Sequence, residues 1–308
     1  MKAKHVIIYL LLVIVTSSCI RDEAPNAEAD ILSCRLPGIT MTTSPIINNN
    51  SVTLFVTPGT NISALAPEFT LTSGATITPA SGTERNFNSP QEYQVTAADG
   101  IWKKTYAISV IDTELATIYN FEDTISGKKY YIFVERENDK VIMEWASGNA
   151  GYAMTGVAKT ADDYPTFQIA NGKNGKCLSL VTRSTGFFGG LVGMPIAAGN
   201  LFIGSFDVNN AMSNPLQATK FGLPFRHVPT YLAGYYKYKA GDQFTEGGKP
   251  VEGKRDICDI YAIMYETSVS VPTLDGTNAF TSPNLVSMAR IKDAKETDEW
   301  TYFKLPFI

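Results

Sequence analysis

Short runs of alternating apolar and polar residues recur along the chain from residue 31 onward. Strand side chains point to opposite faces of a sheet in turn, so such a run indicates a half-buried strand. The clearest case is residues 92–110, where YQVTA (93–97) and YAISV (106–110) flank an Asp-Gly turn at 99–100. This pattern predicts an antiparallel hairpin, and its recurrence predicts an all-β chain.

The strand patterns fall into two groups. Residues 31–112 hold several short strands and no cluster of reactive side chains, which predicts an immunoglobulin-like β-sandwich acting as a spacer. Residues 119–308 continue with strand patterns and show no long helical periodicity. We expect a second, larger β-sandwich there, most simply a jelly roll.

The first 30 residues carry targeting features. Lys2 and Lys4 precede a ten-residue apolar run at 6–15, too short for a membrane span of about 20 residues and typical of a signal peptide over 1–18. Cys19 after Thr-Ser-Ser resembles a bacterial lipobox, which predicts acylation of Cys19 and a tether over 19–30. The Arg-Asp-Glu triplet at 21–23 resembles a surface-export signal, so we expect a lipid-anchored protein on the bacterial outer membrane. The alternative is a secreted protein with a free Cys19.

Composition excludes several classes of function. The formal net charge of −4 argues against nucleic acid as a partner, because phosphate binding depends on Lys and Arg. His227 is the one histidine outside the predicted signal peptide, too few for a histidine-based zinc site. The chain contains no G-x-S-x-G nucleophile motif.

Five segments in the second half, in chain order, resemble the putative carbohydrate metabolism domain (PCMD). They are WASGNAG (145–151), PIAAGNLFIGSF (195–206), LAGYYKYKAG (232–241), DICDIYAIMYE (256–266) and WTYFKLPF (300–307). The resemblance implies a jelly roll similar to glycanases and carbohydrate-binding modules, carried on surface lipoproteins after an immunoglobulin-like domain. It implies no catalytic residue. Family members continue past the last of these segments, so we expect the final strands of the domain either to follow Ile308 or to be missing.

One strand, 232–241, predicts a sugar platform. Tyr236 and Tyr238 share one face, and rings at i and i+2 could stack on the C–H face of a sugar. Arg226 and His227 lie nearby in sequence and could donate hydrogen bonds to it. The alternative is that one face of the strand is core and the other is a surface of snorkelling side chains.

A second strand, 258–266, predicts further contacts. Its small apolar face should be core, which turns Asp259, Tyr261 and Tyr265 toward a ligand. We therefore expect Tyr261→Ala and Tyr265→Ala to weaken glycan binding and to leave folding largely intact. Trp145 precedes a glycine-containing turn that could place it at a sheet rim, although a buried structural Trp is the alternative.

Glu122 opens the second domain after Phe121. This resembles the first strand of carbohydrate-binding jelly rolls, in which such a carboxylate helps to hold a structural calcium ion. The resemblance therefore implies Glu122 as a metal ligand. The alternative is a solvent-facing Glu beside a core Phe.

Three hypotheses of function follow. The first is a surface-anchored protein that binds glycans in polysaccharide capture or utilisation. The second is a jelly-roll glycoside hydrolase, which would need two facing carboxylates; the candidates are Glu144, Asp207, Asp259 and Glu266. The third is an adhesin or assembly subunit that adds a strand at an open C-terminal edge.

Overall fold

The structure is a computed structural model that describes residues 25–268 and 270–308. The predicted signal peptide, Cys19 and the export triplet lie outside the described residues. Within these two ranges, no helix is long and apolar enough to cross a membrane.

The first domain contains seven strands. In chain order they are β1 (Ile31–Arg35), β2 (Ile46–Ile47), β3 (Ser51–Phe55), β4 (Glu68–Leu71), β5 (Thr76–Thr78), β6 (Gln91–Thr96) and β7 (Lys103–Ile111). Five of them form a sheet in the order β2-β3-β7-β6-β5, in which only the β3–β7 pair is parallel. Strands β1 and β4 form a separate antiparallel pair. One buried cluster joins both sheets, with Ile31 from β1, Leu54 from β3 and Ile108 from β7.

The hairpin predicted at 92–110 is confirmed. Strands β6 and β7 pair antiparallel, and Tyr93 lies opposite Tyr106. Both rings are buried, as expected for the inward face of an alternating strand. At the turn, Asp99 Oδ1 accepts hydrogen bonds from the backbone N–H groups of Ile101 and Trp102, and Gly100 adopts φ +70. An Asp-Gly turn suits this geometry because Gly tolerates positive φ.

The second domain is also built from strands, which confirms the all-β prediction. They are β8 (Val134–Glu137), β9 (Lys140–Ala146), β10 (Thr166–Ile169), β11 (Cys177–Leu180), β12 (Arg183–Ser184), β13 (Ile196–Ala197), β14 (Phe202–Phe206), β15 (Thr219–Phe221), β16 (Tyr231–Tyr238), β17 (Thr245–Glu246), β18 (Lys249–Pro250), β19 (Tyr261–Tyr265), β20 (Leu285–Arg290) and β21 (Thr297–Pro306). The three short helices are α1 (Asn149–Ala153), α2 (Gly186–Leu191) and α3 (Pro215–Ala218).

These strands form one four-stranded sheet and several pairs. The sheet has the order β15-β14-β9-β8, and the pairs include β10–β11, β16–β21 and β19–β20. Phe133, Met143, Tyr152 and Tyr164 are buried around the sheet. The strand predicted over 258–266 is shorter than expected, because regular pairing with β20 extends only from Tyr261 to Tyr265.

An ion pair and a close polar contact connect the second domain to the segment that precedes it. Lys140 Nζ lies 2.7 Å from Asp112 Oδ1, and both side chains are largely buried. His227 Nε2 lies 2.8 Å from Glu114 Oε2. The segment that joins the two domains therefore packs against the second one and does not run free of it.

Candidate functional site

The antiparallel pair β16–β21 presents an unusual outer surface. Tyr235 lies opposite Tyr302, and Ala233 lies opposite Lys304. Residues directly opposite each other share a face of the sheet, and so do residues two positions apart on one strand. Tyr231, Tyr235 and Lys237 therefore lie on the same face as Tyr302 and Lys304. We call these five residues the tyrosine face.

The rings of the tyrosine face are open to solvent. The exposed fractions are 53% for Tyr231, 48% for Tyr235 and 55% for Tyr302. The centroids of the Tyr235 and Tyr302 rings lie 5.3 Å apart with an interplanar angle of 53°. Singly exposed apolar side chains are ordinary on a protein surface, but grouped ones mark binding surfaces. Three exposed rings on one strand pair form such a group.

Lysine side chains accompany each part of this surface. Lys304 Nζ lies 4.1 Å from the Tyr231 ring centroid, and Lys237 Nζ lies 5.3 Å from that of Trp300. From the loop between β10 and β11, Lys173 reaches over Tyr235 with its Nζ 4.3 Å from the ring centroid. Each distance lies within the range of a cation–π attraction, which keeps the ammonium groups close to the rings.

The structure places Tyr236 and Tyr238 on the opposite, half-buried face of β16, contrary to the exposed position expected for a sugar platform. Tyr236 packs on Phe303 at 6.2 Å between centroids, and its hydroxyl donates to the Lys295 carbonyl at 3.3 Å. Burial raises the pKa of Tyr238 to about 12. Gly234 explains this choice of face: it shares the face of Tyr236, and the Phe303 ring fills the space above it.

Trp145 is a packing residue in this structure and does not project from a rim. Its Nε1 donates to Glu135 Oε1 at 2.9 Å, and Tyr119 and Phe121 pack on its ring at 5.0 and 5.5 Å between centroids. Burial raises the pKa of Glu135, although the bond from Trp145 opposes this effect. The arrangement corresponds to the alternative of a structural Trp.

The residues predicted to face a ligand on the strand 258–266 make different contacts in the structure. Asp259 accepts two hydrogen bonds from Arg290, at 3.0 and 2.7 Å, and Tyr261 packs edge-on against Phe280 at 4.9 Å between centroids. Arg290 in turn lies over Phe280, with Cζ 4.1 Å from the ring centroid. Asp259 and Tyr261 thus belong to a partly exposed cluster at one end of the strand.

Tyr265 points into the protein instead. Its hydroxyl donates to the Phe221 carbonyl on β15, and the absence of a side chain at Gly222 leaves room for its ring. This position corrects the expectation that Tyr265 faces a ligand. The physical reason is that β15 lies against this end of β19, where the hydroxyl finds a backbone acceptor.

Arg226 and His227 lie at the junction between the domains. They line a shallow cleft together with Pro58 of the first domain and Glu114 of the joining segment. His227 bonds Glu114 as described above, and its ring also contacts Phe225 at 5.4 Å between centroids. Neither residue has a contact in the structure that connects it to the tyrosine face.

Glu122 bonds within the protein. Its Oε1 accepts a hydrogen bond from the backbone N–H of Lys176 at 2.9 Å, and the Gln168 amide donates to the carbonyl oxygens of Phe121 and Glu122. Across 25–268 and 270–308, the structure shows no group of three or more His, Cys, Asp or Glu side chains that could hold a metal ion. Calcium binding through Glu122 stays a prediction.

Among the described residues, no contact brings two of the carboxylates suggested for hydrolysis together. Asp207 caps a short 3₁₀ turn through the Asn209 N–H and the Asn210 amide, and Asp259 is held by Arg290. Glu144 has an exposed side chain, and desolvation of its carboxyl group by the surrounding protein raises its pKa. Glu135, whose pKa is also raised, pairs with Met143 while Glu144 pairs with Val134. Glu135 and Glu144 therefore lie on opposite faces of the sheet.

Comparison with known proteins identifies the family to which the protein belongs. Residues 120–308 match the family described as "Putative carbohydrate metabolism domain", and residues 31–110 match "SGBP, N-terminal". The first match covers more than half of the chain, so the protein belongs to the PCMD family. These matches indicate a carbohydrate-related role and an extracellular or surface location. No match was found among curated proteins.

The solved structures that are similar to this chain include two putative glycoside hydrolases. One, described as a putative glycoside hydrolase from Bacteroides thetaiotaomicron, is 85% identical with a TM-score of 0.89, and the match covers 94% of this chain and 84% of that one. The other, described as a putative glycoside hydrolase from Bacteroides vulgatus, is 48% identical with a TM-score of 0.58. That match covers 62% of this chain and 77% of the other.

Proposed function

We propose that this protein binds glycans through the tyrosine face and is held at the outer surface of the cell by an acylated Cys19. The observation that carries the proposal is the exposure of Tyr231, Tyr235 and Tyr302 together on one strand pair. Membership of a carbohydrate-related family supports it. The first domain would then be a spacer that carries the site away from the membrane.

The chemistry of the face suits sugars. A pyranose ring offers C–H faces that pack on aromatic rings, and hydroxyls around its edge that bond to polar groups. Tyrosine provides both kinds of contact, since its ring is apolar and its hydroxyl donates and accepts. The pair Tyr235–Tyr302 would form the centre of the site because its rings already touch, and Tyr231 would extend it along β16.

Hydrolysis is the second candidate function, favoured by the description of both similar structures as putative glycoside hydrolases. The raised pKa of Glu144 also suits a general acid. Hydrolysis of a glycosidic bond, however, uses two carboxyl groups that flank the same bond, about 5–9.5 Å apart. Glu135 and Glu144 lie on opposite sides of one sheet, so they do not form such a pair. We therefore favour binding.

A glycan array with purified residues 25–308 tests the proposal. We expect binding to at least one polysaccharide, and a loss of affinity of about 0.5–1.5 kcal/mol for Tyr235→Ala or Tyr302→Ala, the size of one aromatic contact. Trp102→Ala is the matched control because Trp102 is 63% exposed on the first domain. Folded protein that binds no glycan, or equal losses in all three variants, would refute the site.

Two further measurements separate the parts of the proposal. Incubating the protein with each bound glycan and assaying new reducing ends distinguishes binding from hydrolysis, and release of reducing ends that Glu144→Gln abolishes would favour the hydrolase. Fractionating cells that express the full chain tests the anchor. We expect Cys19→Ser to move the protein from the membrane fraction to the soluble fraction, and an unchanged distribution would contradict acylation.

A further inference from the structure

Lys237 and Lys304 of the tyrosine face, and Lys173 beside it, lie over aromatic rings. Lys104, Lys140 and Lys254 each have a carboxylate oxygen within 2.5–2.7 Å of Nζ. Among the ion pairs formed by the described residues, none includes Lys173, Lys237 or Lys304. The contacts that the structure gives them are with aromatic rings. Three ammonium groups thus border the candidate site with no carboxylate of the described residues within ion-pair distance.

This local charge runs against the charge of the whole chain. The formal net charge is −4, with 30 acidic and 26 basic residues. Lys239, directly after β16, is a further exposed lysine.

The spacing of the charges also has a pattern. Lys304 lies opposite Ala233, and Lys237 follows four positions along β16, which puts their Cα positions about 13 Å apart along the strand direction. The Tyr235–Tyr302 pair lies between them. A sugar stacked on this pair would therefore have an ammonium group on each side, and Lys173 reaches over the centre.

We infer that the ligand of the tyrosine face is an anionic glycan, with carboxylates of uronic acids or sulfate esters meeting these lysines. The inference rests on the proposed function and adds the class of glycan to it. A neutral glycan could use the same rings and would gain little from the ammonium groups. An anionic chain would gain both the aromatic contact and the attraction to the ammonium groups, since each lysine is already close to the surface on which the sugar stacks.

The two sources of negative charge can be told apart experimentally. Affinity electrophoresis and isothermal titration calorimetry would compare polygalacturonate and alginate with their carboxyl-reduced forms, and chondroitin sulfate with its desulfated form. We expect at least one anionic glycan to bind and its neutralised form to bind at least tenfold more weakly. Carboxyl reduction and desulfation identify which anion matters.

Lysine variants and the dependence of binding on ionic strength provide a second test of the charge inference. Lys237→Gln and Lys304→Gln should each weaken binding about two- to fivefold, the effect of one exposed ion pair, whereas the exposed Lys103→Gln of the first domain should have no effect. Raising the ionic strength from about 0.15 M to 1 M shortens the screening length from about 8 Å to 3 Å and should weaken wild-type binding more than that of the double variant.

Each of the other outcomes refutes one part of the inference or the proposed function beneath it. Equal binding of an anionic glycan and its neutralised form overturns the charge inference and leaves glycan binding intact. Equal binding of polyglutamate overturns it as well, because any polyanion would then suffice. Binding that survives Lys237→Gln and Lys304→Gln but is lost in Tyr235→Ala shows that the rings alone select the ligand. No binding to any neutral or anionic glycan refutes the proposed function itself.

Discussion

Replacing Tyr265 should destabilise the second domain and leave glycan binding unchanged. Its hydroxyl donates to the Phe221 carbonyl, and its half-buried ring ties β19 to β15, which belong to different sheets. Tyr265→Ala removes the ring and the hydrogen bond, and we expect a loss of about 2–3 kcal/mol, below the range for a fully buried aromatic. This expectation is opposite to the one drawn from the alternating sequence alone.

A graded variant separates the ring from the hydroxyl. Tyr265→Phe deletes only the hydroxyl, and the Phe221 carbonyl keeps a second donor, Thr273 Oγ1 at 2.8 Å. No acceptor is then left unpaired, so the cost should be about 0.5–1 kcal/mol, at the low end for a net hydrogen bond. A loss as large as that of Tyr265→Ala would refute this account of the contact.

Gly222 provides an independent check. It adopts φ +99, and a Cβ there would collide with the Tyr265 ring. Gly222→Ala should therefore cost about 1–3 kcal/mol from backbone strain, with an added cost from the collision. In the Tyr265→Ala background the collision is absent, so the two losses should sum to more than the loss in the double variant. Additive losses would show that the two residues do not meet.

The assay must report on the second domain alone. The chain has three tryptophans, of which only Trp102 lies in the first domain. In a Trp102→Phe background, fluorescence during urea unfolding follows Trp145 and Trp300. The shift in midpoint between variants, multiplied by a common slope, gives the change in the free energy of unfolding. If Tyr265→Ala kept the midpoint and lost glycan binding, Tyr265 would be a ligand-facing residue after all.

Two more predictions concern carboxylates. Burial raises the pKa of Glu144 above its ordinary value of 4.5, so the native state keeps a proton that the unfolded state releases, and stability falls as pH rises above 4.5. Glu144→Gln should therefore raise the melting temperature at neutral pH and have no such effect below pH 4.5, and an equal shift at both would contradict the burial effect. For Glu122, the predicted calcium ion requires EDTA to lower the melting temperature of the wild type, and an unchanged melting curve would contradict it. A lower melting temperature after chelation would establish the calcium ion, since a ligand of the native state stabilises it.

The sequence predicted strands better than it predicted which face of a strand is buried. The β6–β7 hairpin could be predicted because its turn and its apolar alternation are both local, and Tyr93 and Tyr106 are buried as the alternation requires. On β16 both alternating sets contain tyrosine, so hydrophobicity cannot choose between them. The choice depends on Gly234 and on Phe303 from β21, a partner distant in sequence.

The same limit explains why the sequence does not predict the contacts of Tyr265 and His227. Alternation along 258–266 assigns Tyr265 to the side away from the small apolar residues, but it cannot show that β15 covers that side. His227 is close to β16 in sequence, yet its partner Glu114 comes from the segment between the domains. In both cases the deciding contact joins elements that are distant in the chain.

The residues missed from the sequence point to a general feature of this site. Tyr302 and Lys304 lie on β21, inside a segment that carries the family resemblance, and no sequence pattern predicts either of them as a ligand contact. Their position on the tyrosine face follows only from the register of β21 against β16, in which Tyr302 meets Tyr235 and Lys304 meets Ala233. A shift by one residue would turn Tyr302 and Lys304 to the half-buried face and expose Phe303 instead. The register therefore decides whether β21 contributes to the site, and it makes the proposed glycan binding a property of the strand pair and not of either strand alone.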